Sequence, residues 1–312
     1  MIFDFSSVVQ WLILLQISTR WPKFVREWCR VETRMRNYKF YGNLKRKIFV
    51  ITFGILAFAA VEHCLVNFNS LSKCLKSTDS IQEGLKFYFT SSNFAKIFTF
   101  ISYSLWKGFL LEFVSLQKAF LWTYSDIFIM IIGVSLQYRF HQIKEQVDIM
   151  IESKIKNENT WLSVRKDYLL LVRLCKKTND TVSTLILGSF TINMYFVLKQ
   201  MFKSLMRIEN TVDRVYFYMS FGLLIIRLGF VIIFGSAANE EWKDIGFLLH
   251  SVPTEIHNVE VDKFIDNTSF EIALSGKQFF VIKRDLILKI AGTIVTYELV
   301  IIQLNTDELK SA

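Results

Sequence analysis

The last apolar stretch of the chain, Leu286 to Asn305, carries polar side chains at spacings that gather them on one side of a helix. At about 100° per residue, the resulting stripe and its flank comprise Thr293, Thr296, Tyr297, Val300, Gln303, Leu304 and Asp307. A membrane helix with polar groups along one side turns that side to other helices or to water. Two interpretations therefore stay open: a helix packed in a bundle through small and polar residues, and a helix that lines a pore.

Charged side chains also lie inside other apolar stretches, where removing a charge from water is costly. Asp126 falls within residues 119–139, and Arg227 falls within residues 216–237. Asp126, in the outer half of its span, is therefore a functional candidate by default. Glu298 points about 140° away from the polar stripe of the last stretch, toward other helices of its own subunit. We expect Glu298 to form an ion pair with Arg227.

The composition is that of a polytopic, all-helical membrane protein. The chain has 312 residues, is 52% hydrophobic and contains 30 Phe, and its mean hydropathy is +0.33, which is too apolar for a soluble domain of this size. Only 2 Pro and 12 Gly are present, so the helices should be long and unbroken. The formal net charge of +9 is typical of cytoplasmic loops in a membrane protein, and no motif suggests nucleic-acid binding.

Apolar stretches long enough to span a bilayer occur six times, within one membrane domain that we take to fill residues 1–312. The predicted spans are 3–19, 48–68, 119–139, 182–206, 216–237 and 286–305. Between the first two, residues 20–47 carry ten Lys and Arg against Glu27 and Glu32, which predicts a cytoplasmic loop. With this orientation the C-terminus lies outside the cell.

The connections between the spans differ in character. Residues 69–118 are expected outside, with an aromatic second half that lies against the membrane without crossing it. The third span should continue as a helix through His141 and Lys144. Residues 140–181 and 239–284 are expected inside and helical, because their apolar residues recur at three- and four-residue steps.

Cysteine and histidine placement indicates neither an enzyme nor a metal site. Cys64 and Cys74 flank the same predicted outer loop, which leaves open both a short disulfide and two free thiols. The four histidines are scattered, without the paired spacing of a zinc helix. No phosphate-binding loop is present, so we expect no cofactor.

One motif in the last span adds to this interpretation. Thr296 and Tyr297, followed after five residues by Gln303, resemble the C-terminal TY-x5-QF signature of insect gustatory receptors. The form TYELVIIQLN, with Glu298 after the tyrosine, is most similar to the sugar-sensing branch. Leu304 stands where that signature has Phe.

Two further stretches carry the same resemblance. The motif W-x3-R-x2-Y, here Trp161, Arg165 and Tyr168, is similar to the inner segment of the family. The dipeptide Glu62-His63, which follows a basic loop containing Trp and Pro, is similar to the sugar branch.

The resemblance implies a function that composition alone does not. The family has seven spans and works as a homo- or hetero-tetrameric, ligand-gated, non-selective cation channel in the plasma membrane. The first helix of that fold would be missing here. Four copies of the last helix would meet at a constriction formed by Gln303 and Leu304, along the stripe that contains Val300. Thr296 and Tyr297 would orient that helix.

The resemblance also implies a pocket for a small tastant, expected to be a sugar, in the outer half of each subunit. A sugar needs flat aromatic faces for its C–H surface and carboxylate or amide groups for its hydroxyls. The candidates are Glu62, His63, Trp122, Tyr124, Asp126, Asn193, Tyr195, Tyr216 and Tyr218. Aromatic residues at outer helix ends also form ordinary interface belts, which is the alternative for each of them.

Other functions stay open. Within the family, the chain would be an obligate co-subunit or a receptor for a tastant other than a sugar. A G-protein-coupled receptor is disfavoured by the external C-terminus that the charge distribution predicts. A transporter is disfavoured because the sequence has neither internal repeats nor spans broken by Gly and Pro.

Overall fold

The protein is described by a computed structural model that covers residues 2–38, 43–78, 80–204 and 211–311. Its helices are α1 (Ile2–Arg34), α2 (Leu44–Lys76), α3 (Ile81–Phe87), α4 (Ala95–Phe98), α5 (Leu105–Glu152), α6 (Glu158–Ser204), α7 (Thr211–Gly235), α8 (Ala237–His250), α9 (Val259–Thr268) and α10 (Asp285–Ser311). A short hairpin of β1 (Ser275–Gly276) and β2 (Phe280–Val281) precedes α10. The described chain is thus almost entirely helical, as predicted.

Helices long and apolar enough to cross a membrane occur four times in the described residues. They are Leu44–Lys76, Leu105–Glu152, Glu158–Ser204 and Arg214–His250, and they contain the four central predicted spans as far as the structure describes them. The first and last predicted spans, 3–19 and 286–305, are also helical, within α1 and α10. Neither of these two helices is among the four.

Several connections differ from the prediction. The predicted loop 20–47 is helical up to Arg34, because α1 continues through Pro22. In the predicted outer segment 69–118, α2 extends to Lys76 and α5 already begins at Leu105. The aromatic part that we expected against the membrane therefore consists of α3, a π turn, α4 and the first turns of α5. The predicted continuation of the third span is confirmed, since α5 runs to Glu152.

The two cysteines that bracket the predicted outer loop lie on one helix. Cys64 and Cys74 are both in α2, about 15 Å apart along its axis at 1.5 Å per residue. A disulfide needs Cα atoms within about 7 Å. The structure therefore excludes the short disulfide, and both cysteines are free thiols.

The main core lies where α8 and α9 pack against the C-terminal half of α5 and the N-terminal half of α6. We call these packed parts the four-helix core. Trp161, Tyr168, Phe140 and Phe264 are fully buried there, and the Trp161 indole N–H donates to the Ile155 carbonyl at 2.9 Å. The predicted apolar face of residues 161–175 is confirmed as part of this core.

Salt bridges lie at the surface of the four-helix core. Arg165 Nη2 lies 2.7 Å from Glu260 Oε2 and joins α6 to α9. Lys263 lies 2.8 Å from Glu260 Oε1. The side-chain bonds from Lys263 and Arg165 hold the pKa of the Glu260 carboxyl below its ordinary value.

One close approach fixes how α5 crosses α7. Gly133 is buried on α5, and a Cβ atom added there would overlap the carbonyl oxygen of Phe234 and lie 2.9 Å from the Cα of Gly235. Only glycine lets the two backbones come this near. The contact lies between the four-helix core and the opposite end of α5.

Candidate functional site

A cavity of about 700 Å³ lies where the N-terminal half of α5 meets α2, the C-terminal part of α6, and α7. Each helix contributes residues spaced by three or four positions, so each turns one face to the cavity. The lining residues of these four helices are Ala59, Glu62, His63 and Val66 on α2; Ser115, Ala119, Trp122 and Thr123 on α5; Phe196, Lys199, Gln200, Phe202 and Lys203 on α6; and Tyr216, Ser220, Leu224 and Arg227 on α7. Phe3 of α1 completes the wall.

We call the buried ion pair of Arg227 and Asp126 the charged floor of the cavity. Arg227 Nε lies 3.2 Å from Asp126 Oδ2, and both side chains are almost completely shielded from solvent. The other carboxylate oxygen of Asp126 accepts hydrogen bonds from Ser189 Oγ at 2.5 Å and from Asn193 Nδ2 at 3.1 Å. A buried charge pair is tolerated when such bonds satisfy its remaining lone pairs.

This pair corrects the predicted ion pair of Arg227 with Glu298. Arg227 is bound to Asp126 on α5 instead, while Glu298 is half-buried on α10. Both carboxylates sit in apolar helices, and helical arithmetic cannot tell which neighbouring helix brings its acid to the arginine.

Trp122 lies next to this ion pair and contacts residues of two other helices. The guanidinium carbon of Arg227 lies 3.5 Å from the centre of the indole ring. The Phe196 ring stacks on the indole at 4.6 Å with an interplanar angle of 21°. The indole N–H donates to Asn193 Oδ1 at 3.2 Å. Trp122 therefore links α5 to both α6 and α7.

The edge of the cavity is polar on the α2 side. His63 Nε2 lies 3.1 Å from Asn67 Nδ2 and 3.8 Å from Glu112 Oε1. Asn67 donates to that same Glu112 oxygen at 2.6 Å. Next to His63, Glu62 is half-buried and interacts electrostatically with Arg227. The cavity is thus lined by both a carboxylate and a guanidinium.

Some of the predicted ligand residues line the cavity, and others do not. Glu62, His63, Trp122 and Tyr216 line the cavity, and Asp126 and Asn193 form the buried network behind it. Tyr124, Tyr195 and Tyr218 are not among the lining residues. Tyr218 is 63% exposed, and Tyr124, which is 39% exposed, stacks on Phe120 and Phe128 of the same helix.

Several lining residues escaped prediction, although the sequence holds a signal for them. On α6, Phe196, Lys199, Gln200 and Lys203 follow helical three- and four-residue steps. Arg227 was predicted only as the partner of Glu298. A face that combines aromatic, amide and basic groups at these spacings within an apolar helix would have singled out the α6 wall.

The predicted pore helix lies at the surface of the single chain. Thr296, Tyr297, Val300 and Gln303 are all exposed on α10, and so are apolar residues around the helix such as Leu299. The side chain of Leu304 lies outside the described residues. In the part of the chain that the structure describes, no group of three His, Cys, Asp or Glu side chains could hold a metal ion.

An all-helical, multi-pass membrane fold with a small-molecule-sized cavity among its helices is the class that these observations define. The fold is similar to the structure of the insect olfactory receptor OR5 from Machilis hrabei in complex with eugenol, with a TM-score of 0.63 at 9% identity over 97% of this chain and 81% of that chain. A second structure of the same receptor gives a TM-score of 0.61 at 10% identity, with the same coverage.

The chain belongs to the trehalose receptor family, whose family model matches residues 1–312. Among its relatives in Drosophila melanogaster, gustatory receptor 5a for trehalose is 29% identical over 98% of this chain and 69% of its own length. Gustatory receptor for sugar taste 64f is 31% identical, again over 98% of this chain and 66% of its own length. The chain thus spans about two thirds of the length of these relatives. The resemblance to the sugar branch of the insect gustatory receptors is confirmed.

Proposed function

We propose that the chain is a subunit of a sugar-gated, non-selective cation channel that serves taste in the plasma membrane. The observation that carries the proposal is the cavity, in which a carboxylate, a guanidinium and several aromatic side chains face one volume of about 700 Å³. Polar groups set in an aromatic wall are what a sugar requires. The relatives named for sugar taste and for trehalose support the same ligand class.

The second part of the proposal is a pore built from four copies of α10. On this helix Tyr297, Leu299 and Val300 are each about half exposed or more in the single chain, so the helix has an apolar surface available to other subunits. Gln303 and Leu304 would form the constriction, and a ring of side chains at a hydrophobic constriction is a known gating device. The subunits would be identical or would include other gustatory receptors, with lipid around them and the C-terminus outside.

Ligand binding would open the pore by favouring one state of the assembly. A ligand shifts such an equilibrium only by the difference in its affinity for the two states. The cavity lies between α2, α5, α6 and α7, so a change in their spacing on binding would alter the packing around α10, which contacts α7.

The test is whole-cell current in cells that express this chain alone and with a related full-length subunit, during application of a panel of sugars. We expect a sugar-evoked cation current, and Gln303→Ala should alter its amplitude or its ion permeability ratios. Val295→Ala is the matched control, because Val295 is 56% exposed on the same helix but lies about 80° from Gln303 and about 160° from the centre of the polar stripe. A current that both variants leave unchanged would contradict the pore assignment.

The large apolar share of the cavity wall favours a second candidate, a receptor for a less polar tastant. Phe3, Val66, Phe196, Phe202 and Leu224 all line the cavity. The panel therefore includes small aromatic compounds. A current evoked by these compounds and by none of the sugars would select the second candidate, and a current that requires the related subunit would identify an obligate co-subunit.

A further inference from the structure

The tryptophan at the cavity has no free aromatic face. The Arg227 guanidinium carbon lies 3.5 Å from the centre of the indole, and the nearly parallel Phe196 ring lies 4.6 Å from it. If both groups stacked on one face, they would come within about 3 Å of each other, which is closer than the contact distance of about 3.5–4.0 Å between carbon atoms. They must therefore cover opposite faces of Trp122.

The polar edge of the indole is also occupied. Trp122 has a single N–H donor, and it donates to Asn193 Oδ1 at 3.2 Å. A sugar ring that stacked on Trp122 would have to displace either the guanidinium or the phenyl ring. Trp122, the side chain best suited by type to stack on a sugar, is therefore already occupied by contacts within the protein.

Arg227, by contrast, is held in place and still has hydrogen-bonding capacity. Its Nε faces Asp126 at 3.2 Å, its Nη2 donates to Asn193 Oδ1 at 3.4 Å, and its guanidinium carbon lies over the Trp122 ring. An arginine has five N–H donors in a rigid fork. Among the described residues, Nη1 donates to no protein acceptor, and Arg227 lines the cavity.

We propose that Arg227 is the polar anchor for the ligand and that Trp122 is a positioning residue, which fixes the guanidinium and does not stack on the sugar. This inference rests on the proposed function for the nature of the ligand. Arg227 would donate to an acceptor oxygen, and Glu62 on the α2 side would accept from a hydroxyl. The ligand class is therefore a ring with neighbouring hydroxyls, one of which is read by Arg227.

The first test needs no ligand. Apparent melting temperatures are measured for the purified chain in lipid nanodiscs and for Trp122→Leu, Arg227→Met and the double variant. Because residues in contact are energetically coupled, the double variant should melt at a higher temperature than the sum of the two single shifts predicts. Phe3→Leu paired with Arg227→Met is the control pair, since Phe3 lines the same cavity but contacts Trp122 through its edge. Additive shifts for Trp122 and Arg227 would overturn the stacked arrangement.

The second test uses an active sugar and its monodeoxy analogues, with half-activating concentration as the readout. Loss of a hydrogen bond to a charged group should raise this concentration about tenfold or more for Arg227→Met. The same variant should no longer discriminate against the one analogue that lacks the hydroxyl read by Arg227. Trp122→Leu should give the same loss of discrimination, whereas Trp122→Phe keeps a face for the guanidinium and should stay within about threefold of wild type.

The two tests separate the possible failures. If Trp122→Leu weakens every analogue equally while Arg227→Met keeps its discrimination, Trp122 is the platform and the inference is wrong. If no sugar activates the wild type, the proposed function fails, and the stacked arrangement is then decided by the melting temperatures alone. A merely structural role of Trp122 would lower surface expression and current for all sugars without changing their ranking.

Discussion

Two regions of the molecule bury their apolar residues to very different extents. In the apolar segment of α5, 67% of residues are buried within the chain, whereas in that of α2 the share is 11%. The four-helix core buries its apolar side chains within the chain, whereas α2 and α10 leave most of their apolar side chains exposed. Since hydrophobic burial supplies most of the folding free energy, the first region should be stable by itself. We expect the second region to be stabilised by contacts outside the chain, such as lipid or other subunits.

The largest expected effect contrasts the truncation of an aromatic side chain to alanine in the two regions. Trp161→Ala removes a fully buried indole from the four-helix core and should lower the free energy of unfolding by about 3–5 kcal/mol. Phe53→Ala on α2 removes a side chain that is 65% exposed and should change it by about 0.5 kcal/mol or less. Chemical denaturation in nanodiscs measures both. Similar losses would mean that α2 is packed by the same chain after all.

A smaller effect probes the boundary between the regions. Gly133→Ala adds a methyl group against the Phe234 carbonyl, and such overpacking should destabilise the protein by about 1–3 kcal/mol. Gly229→Ala on α7 is the control, because nothing lies within 4 Å of the added atom and alanine is the better helix former by about 1 kcal/mol. Thermal unfolding of the two variants should shift in opposite directions. A neutral Gly133→Ala would show that α5 and α7 can separate at no cost.

The smallest effect concerns the surface of the four-helix core. The pKa of Glu260 is lowered by Lys263 and Arg165, so its ionised form is favoured in the folded state. The resulting stabilisation is complete above the ordinary carboxyl pKa and is lost as the pH falls through the lowered one. Glu260→Gln should therefore flatten the acid limb of a stability profile between about pH 5 and pH 3. Glu255→Gln, whose partner Lys154 is 3.6 Å away and largely exposed, should leave the profile as it is.

Much of the core follows from periodicity, and part of the cavity follows from the resemblance to the gustatory receptors. The three- and four-residue steps from Trp161 to Cys175 predict a buried face, and that face is buried. Asp126 could be singled out because a charged side chain within an apolar helix is energetically costly and usually has a function. Glu62, His63 and Tyr216 were expected near the ligand, and all three line the cavity.

Other features depend on which helices are neighbours in the fold, and this cannot be deduced from a single sequence. The choice of Asp126 over Glu298 as the partner of Arg227 is one example. The β1–β2 hairpin is another, since its turn places Lys277 and Gln278 at φ of 50° and 65°, a region of backbone conformation in which glycine and asparagine are the usual residues. Its position is set by a distant residue, because the Ser275 N–H donates to the Asn179 side chain at 2.7 Å.

The length of α5 has a mechanical consequence. Its 48 residues form one helix, about 36 Å of which separates Asp126 at the cavity floor from Met150 in the four-helix core at 1.5 Å per residue. If this rod pivots by about 5° at Asp126, Met150 moves by about 3 Å, which is enough to exchange one set of side-chain contacts for another. A displacement too small to notice at the cavity can thus become a change of packing partners at the far end of the same helix.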